Sequence, residues 1–256
     1  MIPSAEFVEW LSIMSPPRDG VIVVFKIAFD ESGTHGCTHL TVSAIVGKPV
    51  HWTQVEKDWA PTAAKYAKGY HAADAKDTDN ALLASILVRW LYGYTISIAY
   101  ADFSHATNDV KSEFGSIYVT ALRALTLNLK ENAERHSVIT QAFVLESGHK
   151  EEASAHLYLS KLITNRLDFR VYSQTWVGKE NLATHPADIA AYVMGSTYTA
   201  APSPLRTEVS KVVTAIELSR ESLLEILADA PAVVRDNKKA RERRRIERKR
   251  LARGED

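Results

Sequence analysis

A chain of 256 residues, 46% hydrophobic and 24% charged, is long enough for one large core and typical of globular proteins. Its single cysteine, Cys37, excludes an internal disulfide and a cysteine-rich zinc site, which favours a reducing, cytoplasmic setting. The N-terminus has no basic segment, so we expect no secretory signal. The longest apolar stretch, 81–101, is interrupted by Arg89 and Gly93. We therefore expect neither a membrane span nor a membrane partner.

The first part of the chain predicts strands and helices in alternation. A nearly continuous apolar run at 21–30 indicates a strand that is buried on both faces. Thr53 and Glu56 have the spacing of a capping box, which predicts a helix from Thr53 to about Lys68. The other predicted elements of this part are a strand at 38–46, a helix at 80–92 and a strand at 94–100.

The middle of the chain continues this alternation. Its predicted elements are a helix at 108–135, a strand at 138–146, a helix at 151–165, a strand at 169–177 and a helix that begins near Thr184. Two antiparallel strands followed by alternating helices and strands predict an α/β fold, in which helices cover the faces of a mixed sheet.

A final amphipathic helix is predicted between Arg206 and Leu227, because apolar residues recur there at helical spacing. These residues are Val209, Val212, Val213, Ile216, Leu223, Leu224 and Leu227. We expect this helix either to pack on the sheet domain or to form a homodimer. The predicted organisation is an N-terminal extension (1–20), an α/β domain (21–200), a C-terminal amphipathic helix (201–230) and a basic tail (231–256).

The formal net charge of zero conceals an asymmetry along the chain. Residues 235–256 contain 11 Lys/Arg and 5 Asp/Glu, whereas the remainder contains 20 and 26. A basic tail on a mildly acidic body indicates contact with nucleic acid, RNA or DNA, or with another anionic surface, and a solvated, partly helical terminus is the alternative. The candidate phosphate-binding residues are Arg243, Arg244, Arg245, Arg248, Lys249 and Arg250.

Two of the predicted strands end in a carboxylate beside a Ser-Gly turn, at Asp30 and at Glu146. Functional groups of open α/β sheets gather at the carboxyl ends of strands. If the two strands are parallel neighbours, their last side chains lie roughly 5 Å apart. Two carboxylates at that separation repel unless a cation or a shared proton lies between them, and Mg²⁺ suits such a pair. The alternative is that acids commonly end strands because they are poor strand formers.

A third acid, Asp188, is predicted in the first turn of the helix that begins near Thr184. An acid at this position also stabilises a helix through its dipole, by roughly 0.3–1 kcal/mol, so a purely structural role is one interpretation. The residues that follow Asp188 are apolar, however, and predict a buried helix. A carboxylate in that setting needs a partner.

Several segments together resemble the DESG family, domain-of-unknown-function family 3800, which is similar to ribonuclease-H-like proteins. They are FDESGTH and the strand LTVSAIVG, the later strand that ends in Glu146, YHAADAKD at 70–77, and PADIAAY. The resemblance covers about 21–200. It implies a five-stranded mixed sheet in the order three-two-one-four-five, with flanking helices, in which the first and fourth strands are parallel neighbours.

The resemblance also implies a metal-dependent nuclease that acts on RNA, DNA or a hybrid. Asp30 corresponds to the central ligand of a divalent cluster of Mg²⁺ or Mn²⁺, and Glu146 and Asp188 complete it. Glu31 ranks lower as a catalytic candidate, because strand alternation directs it to the opposite face unless the turn brings it round. His71 is a further candidate, either as a proton shuttle or as a contact to the scissile phosphate.

Two other functions remain open from the sequence. One is a non-catalytic nucleic-acid-binding or assembly protein that retains the ribonuclease-H-like fold, with the tail supplying affinity. The other is an enzyme acting on a different phosphate ester, such as a nucleotide. The sequence contains no Walker loop, zinc-ligand spacing, Gly-x-Ser-x-Gly elbow or dinucleotide fingerprint.

Overall fold

The computed structural model of the chain describes residues 24–33, 37–109, 116–135, 140–149, 151–164, 171–195 and 204–228. The N-terminal extension (1–20) and the basic tail (231–256) lie outside these residues. Within the described residues, no helix combines the length and the apolar character needed to cross a bilayer.

Strands and helices alternate along most of the described chain. The strands are β1 (Val24–Ser32), β2 (His39–Gly47), β3 (Tyr92–Ala99), β4 (Thr140–Glu146), β5 (Val171–Val177) and β6 (Val213–Glu217). The helices are α1 (Pro49–Ala63), α2 (Asp77–Trp90), α3 (Tyr100–Asp109), α4 (Ile117–Arg135), α5 (Glu152–Thr164), α6 (His185–Gly195), α7 (Pro204–Val209) and α8 (Arg220–Ala228).

The strands form one mixed sheet in the order β5-β4-β1-β2-β3-β6, which confirms the predicted α/β class. β2 runs antiparallel to both β1 and β3, while the pairs β1–β4, β4–β5 and β3–β6 are parallel. The expectation of five strands was wrong, because the sheet has six in the described residues. The first five strands lie in the order that the family resemblance implies, and β6 extends the sheet beyond β3.

Each face of the sheet is covered by its own helices. Side chains of β1 alternate between the faces: Ile27 and Phe29 pack with α4, α5 and α8, whereas Ala28 packs with α1, α2 and α6. Asp30 continues the series of Ala28 and therefore extends toward the face that α6 covers. This alternation decides which helix faces the first of the candidate acids.

The C-terminal segment does not form the single helix predicted for Arg206 to Leu227. It folds as helix α7, strand β6 and helix α8. The edge of β3 provides the physical reason, since its backbone groups need partners. Gly93 N donates to Val212 O at 3.0 Å and Leu218 N donates to Ser97 O at 3.0 Å, at the two ends of the β3–β6 ladder.

The apolar side chains of this segment are covered by their own chain. Leu223 and Leu227 of α8 are buried in the core on the α4 side of the sheet, and Val209 is buried on the other side. These side chains are therefore not available for the homodimer that the sequence allowed as one option.

The first helix begins earlier than the capping-box interpretation predicted. Helix α1 begins at Pro49, whose fixed φ suits a first helical turn, and it ends at Ala63 rather than near Lys68. Thr53 lies inside the helix, where its hydroxyl donates to the Pro49 carbonyl at 3.2 Å. The capping box at Thr53 was therefore wrong.

Candidate active site

Asp30 and Glu146 lie side by side at the carboxyl ends of two parallel strands. The register of β1 and β4 pairs Phe29 with Leu145, so the next residue of each strand is one of the two acids. The adjacency implied by the family resemblance is therefore observed. Only 5% of Asp30 is exposed, whereas Glu146 is partly exposed. The sheet thus places one deeply buried carboxylate beside a more accessible one.

Asp188 reaches the same place from helix α6, which packs across β1 and β2. Small side chains at Ala187, Ala190 and Ala191 are fully buried and let this helix approach the sheet closely. Asp188 is itself 5% exposed, and its Oδ2 accepts a hydrogen bond of 2.9 Å from the backbone N–H of Ala72. A role limited to the helix dipole does not explain a carboxylate held this deeply against the sheet.

Burial and neighbouring carboxylates disfavour the charged forms of Asp30 and Asp188. Burial raises the pKa of Asp30 well above its usual range, and the carboxylates of Asp188, Glu31 and Glu146 raise it further. Burial also raises the pKa of Asp188 to about 6, against the opposing effect of His71 and of the Ala72 N–H. Strongly perturbed carboxyl groups that share one place are a feature of functional sites.

Glu31 belongs to this charge cluster from the opposite face of β1, the face to which strand alternation directs it. Burial, and next the Glu146 carboxylate, raises the pKa of Glu31 to about 7. Its Oε1 lies 3.4 Å from His149 Nε2, and the ring of His149 packs on Tyr118 with centroids 4.3 Å apart. The Nδ1 atom of His149 accepts a hydrogen bond from Glu151 N at 3.0 Å, which fixes the ring. Glu31 is thus braced from the α4 side while its charge acts on the other acids.

His71 is presented by a loop that precedes helix α2. Asn80 holds this loop: its Nδ2 donates to Ala72 O at 2.9 Å, and its Oδ1 accepts from the Tyr70 hydroxyl at 2.5 Å. His71 is exposed, and its imidazole lies close enough to Asp188 to lower the pKa of that acid. The structure therefore brings His71 to the acidic cluster. No local pattern indicates that Tyr70 and Asn80 hold this loop, because their hydrogen bonds form only once the loop is folded.

Lys179 adds a positive charge at the end of the neighbouring strand β5. Its Nζ lies 3.3 Å from Glu146 Oε1. Partial burial lowers the pKa of Lys179, but the Glu146 carboxylate raises it, and the net direction is upward. Nothing local to residue 179 in the sequence indicates the carboxylate that this lysine meets.

The donor chemistry of the cluster fits a divalent cation. Its four carboxylates offer the hard oxygen ligands that Mg²⁺ and Mn²⁺ prefer, and their mutual repulsion is relieved by added positive charge. Within the described ranges, no three acidic, histidine or cysteine side chains already surround one point as metal ligands do. Glu146 faces Lys179 instead. The side chains of the cluster fit a divalent metal ion in residue type, in burial and in charge. Glu146 would have to rotate away from Lys179 to become a ligand.

The basic residues proposed for nucleic-acid binding fall outside the described residues. They are Arg243, Arg244, Arg245, Arg248, Lys249 and Arg250.

Comparison with protein-family models and with curated proteins found no match. The resemblance to the DESG family therefore rests on the short segments quoted above.

Proposed function

We propose that the protein is a divalent-metal-dependent nuclease that hydrolyses phosphodiester bonds of RNA, DNA or a hybrid. The observation that carries this proposal is the burial of Asp30 among the carboxylates of Glu31, Glu146 and Asp188, where the ends of β1 and β4 meet helix α6. A cluster of this kind is unfavourable in an apoprotein, because burial and like charges both oppose ionisation. Selection for stability alone does not account for it, whereas divalent-ion binding does.

Each residue of the cluster has a distinct part in the proposed site. Asp30 would be the central ligand of the divalent ion, and Glu146 from β4 and Asp188 from α6 would complete the set. Divalent ions in such sites polarise the phosphoryl oxygen and activate water. His71 is suited to hold or transfer a proton at the leaving oxygen, because it is exposed and faces the cluster from the loop before α2. Glu31, held by His149, keeps negative charge close to Asp30 from the other side of the strand.

The topology supports the ribonuclease-H-like part of the proposal. The order β3-β2-β1-β4-β5, with β1 and β4 parallel, agrees with what the DESG resemblance implies. The loop that carries His71 is hydrogen-bonded through Ala72 N to Asp188, and the helix that carries Asp188 packs against β1 and β2. Fold alone does not establish function, so the proposal depends on the acids.

The test uses the full chain and isosteric variants of the acids. Asp30→Asn, Glu146→Gln and Asp188→Asn are each expected to abolish cleavage of short RNA, DNA and hybrid substrates with Mg²⁺ or Mn²⁺. Calorimetric titration of the same variants with Mn²⁺ is expected to show weaker binding. EDTA should abolish cleavage by the wild type.

The matched control is Asp79→Asn, since Asp79 is also buried (7% exposed) but pairs with Lys65 and Tyr66 instead of other acids. This variant is expected to lose stability and to keep specific activity when folded. Wild-type cleavage rates in all three cluster variants would refute the proposal. Binding of nucleic acid without cleavage under any of these conditions would favour the non-catalytic alternative.

A further inference from the structure

Lys179 contributes an ammonium group to a cluster that is otherwise acidic. Its Nζ contacts Glu146 Oε1 at 3.3 Å, and its charge also acts on Glu31, Asp30 and Asp188. The side chains of Lys179 and Glu146 are 46% and 15% exposed, so water screens their attraction only in part. Lys179 therefore supplies positive charge to the same carboxylates that we propose as metal ligands.

The backbone of Lys179 is held by buried contacts. Trp59 Nε1 donates to His185 Nδ1 at 2.8 Å, and His185 Nε2 lies 2.7 Å from the Lys179 carbonyl oxygen. Because Nδ1 accepts a hydrogen bond, a neutral His185 ring carries its proton on Nε2 and donates it to that carbonyl. Gly69, with φ of +89°, packs so closely that a Cβ there would lie 2.6 Å from the carbonyl carbon of Lys179. A lysine that is merely solvated requires none of this support.

We propose that Lys179 exchanges partners during the reaction, an inference that rests on the proposed nuclease function. In the metal-free protein its ammonium neutralises Glu146. With Glu146 turned to hold a divalent ion, Nζ would be released and would bind a non-bridging oxygen of the scissile phosphodiester. The ammonium has three donors and a compact charge, so carboxylate and phosphate are equivalent classes of partner for it. Lys179 thus competes with the metal for Glu146 and then assists it in binding phosphate.

This exchange predicts opposite effects on metal and on phosphate. In Lys179→Met, Mn²⁺ binds more tightly, on the order of tenfold, because a like charge beside the ligands is gone. Binding of phosphate and the cleavage rate decrease, the latter on the order of a hundredfold, as for loss of one charged donor in an active site. A residue that only stabilises the fold changes both quantities in the same direction.

The experiment compares the wild type with Lys179→Met, Lys179→Arg and Lys211→Met in the full chain. Lys211 is the matched control, since its ammonium also contacts a glutamate, Glu208, but in the turn that precedes β6. Calorimetry first measures the affinity for Mn²⁺ alone and then the affinity for orthophosphate at saturating Mn²⁺. The rate of cleavage of a short oligonucleotide is measured in parallel. Lys179→Arg is expected to resemble the wild type in all three measurements, and Lys211→Met likewise.

The calorimetric measurements do not require cleavage, so the inference and the proposed function are tested separately. If the wild type binds Mn²⁺ but cleaves no substrate, the nuclease proposal fails. Tighter binding of Mn²⁺ together with weaker binding of orthophosphate in Lys179→Met would still support the exchange. Unchanged or weaker Mn²⁺ binding in Lys179→Met, or unchanged orthophosphate binding, would overturn it. If Lys179→Met does not fold, judged by circular dichroism, Lys179→Gln gives the same comparison.

Discussion

The clearest prediction from the site concerns how the stability of the metal-free protein depends on pH, and it is tested by Glu31→Gln. Burial, and then the Glu146 carboxylate, raises the pKa of Glu31 from 4.5 to about 7 in the folded protein. The folded state therefore holds the proton more tightly than the unfolded state. The resulting stability is fully present below about pH 4.5 and is lost as the pH rises through about 7.

The magnitude follows from the size of that shift. Each pKa unit corresponds to about 1.36 kcal/mol, so ionisation of Glu31 costs the folded protein on the order of 3 kcal/mol above neutral pH. Glutamine has the shape of the protonated acid and does not ionise. Glu31→Gln is thus expected to match the wild type near pH 4.5 and to exceed its free energy of unfolding by on the order of 3 kcal/mol near pH 8.

The assay is urea denaturation at both pH values with EDTA present, so that bound metal does not stabilise the wild type. Glu225→Gln is the control, because Glu225 is exposed on α8 and its replacement should give the same small difference at both pH values. A Glu31→Gln protein that is no more stable than the wild type near pH 8 would refute the reasoning. An equal gain at both pH values would also refute it, since that result has no connection with ionisation.

Asn80→Ala leaves the Tyr70 hydroxyl and the Ala72 carbonyl without their partner, so the free energy of unfolding should fall by about 2–5 kcal/mol. The affinity for Mn²⁺ should also fall, because Asp188 loses its neighbouring loop. Wild-type values of both quantities would show that Asn80 does not hold the loop. Truncation after Ala232 should weaken nucleic-acid binding at low salt. It should also reduce the slope of log affinity against log salt concentration by roughly 0.9 for each lost contact to a duplex phosphate, or 0.7 for each contact to a single strand. Identical slopes with and without the tail would exclude phosphate binding by the tail.

The positions of the central acids were accessible from the sequence because each marks the end of a buried strand or the start of a buried helix. Asp30 and Glu146 follow apolar runs, and the strand register then makes them neighbours. The conformation of the turn that follows β1 also explains why residue 33 is a glycine. Gly33 has φ of +90°, and a Cβ there would lie 2.1 Å from the His39 carbonyl oxygen, so this turn requires glycine.

Other features depend on contacts between distant residues and could not be predicted. The spacing of Val209, Val213 and Ile216 fits a helical stripe, and only the open edge of β3 selects a strand for part of that segment. Lys179 lies 33 residues from Glu146 in the sequence, and their pairing depends on the parallel alignment of β4 with β5. Local patterns determine where an element is and which face is apolar, whereas side-chain partners across the sheet depend on the assembled topology.

The pairing of β6 with β3 has a consequence for how the chain folds during synthesis. Gly93 pairs with Val213, so the edge of the sheet is completed by a segment that leaves the ribosome long after β3. Until then β3 presents unpaired backbone groups on its outer side, which is the kind of edge that recruits strands from other molecules. Because closing so large a loop is slow, the nascent chain passes through a period in which this edge needs protection, and a product that stops before β6 would retain the exposed edge permanently.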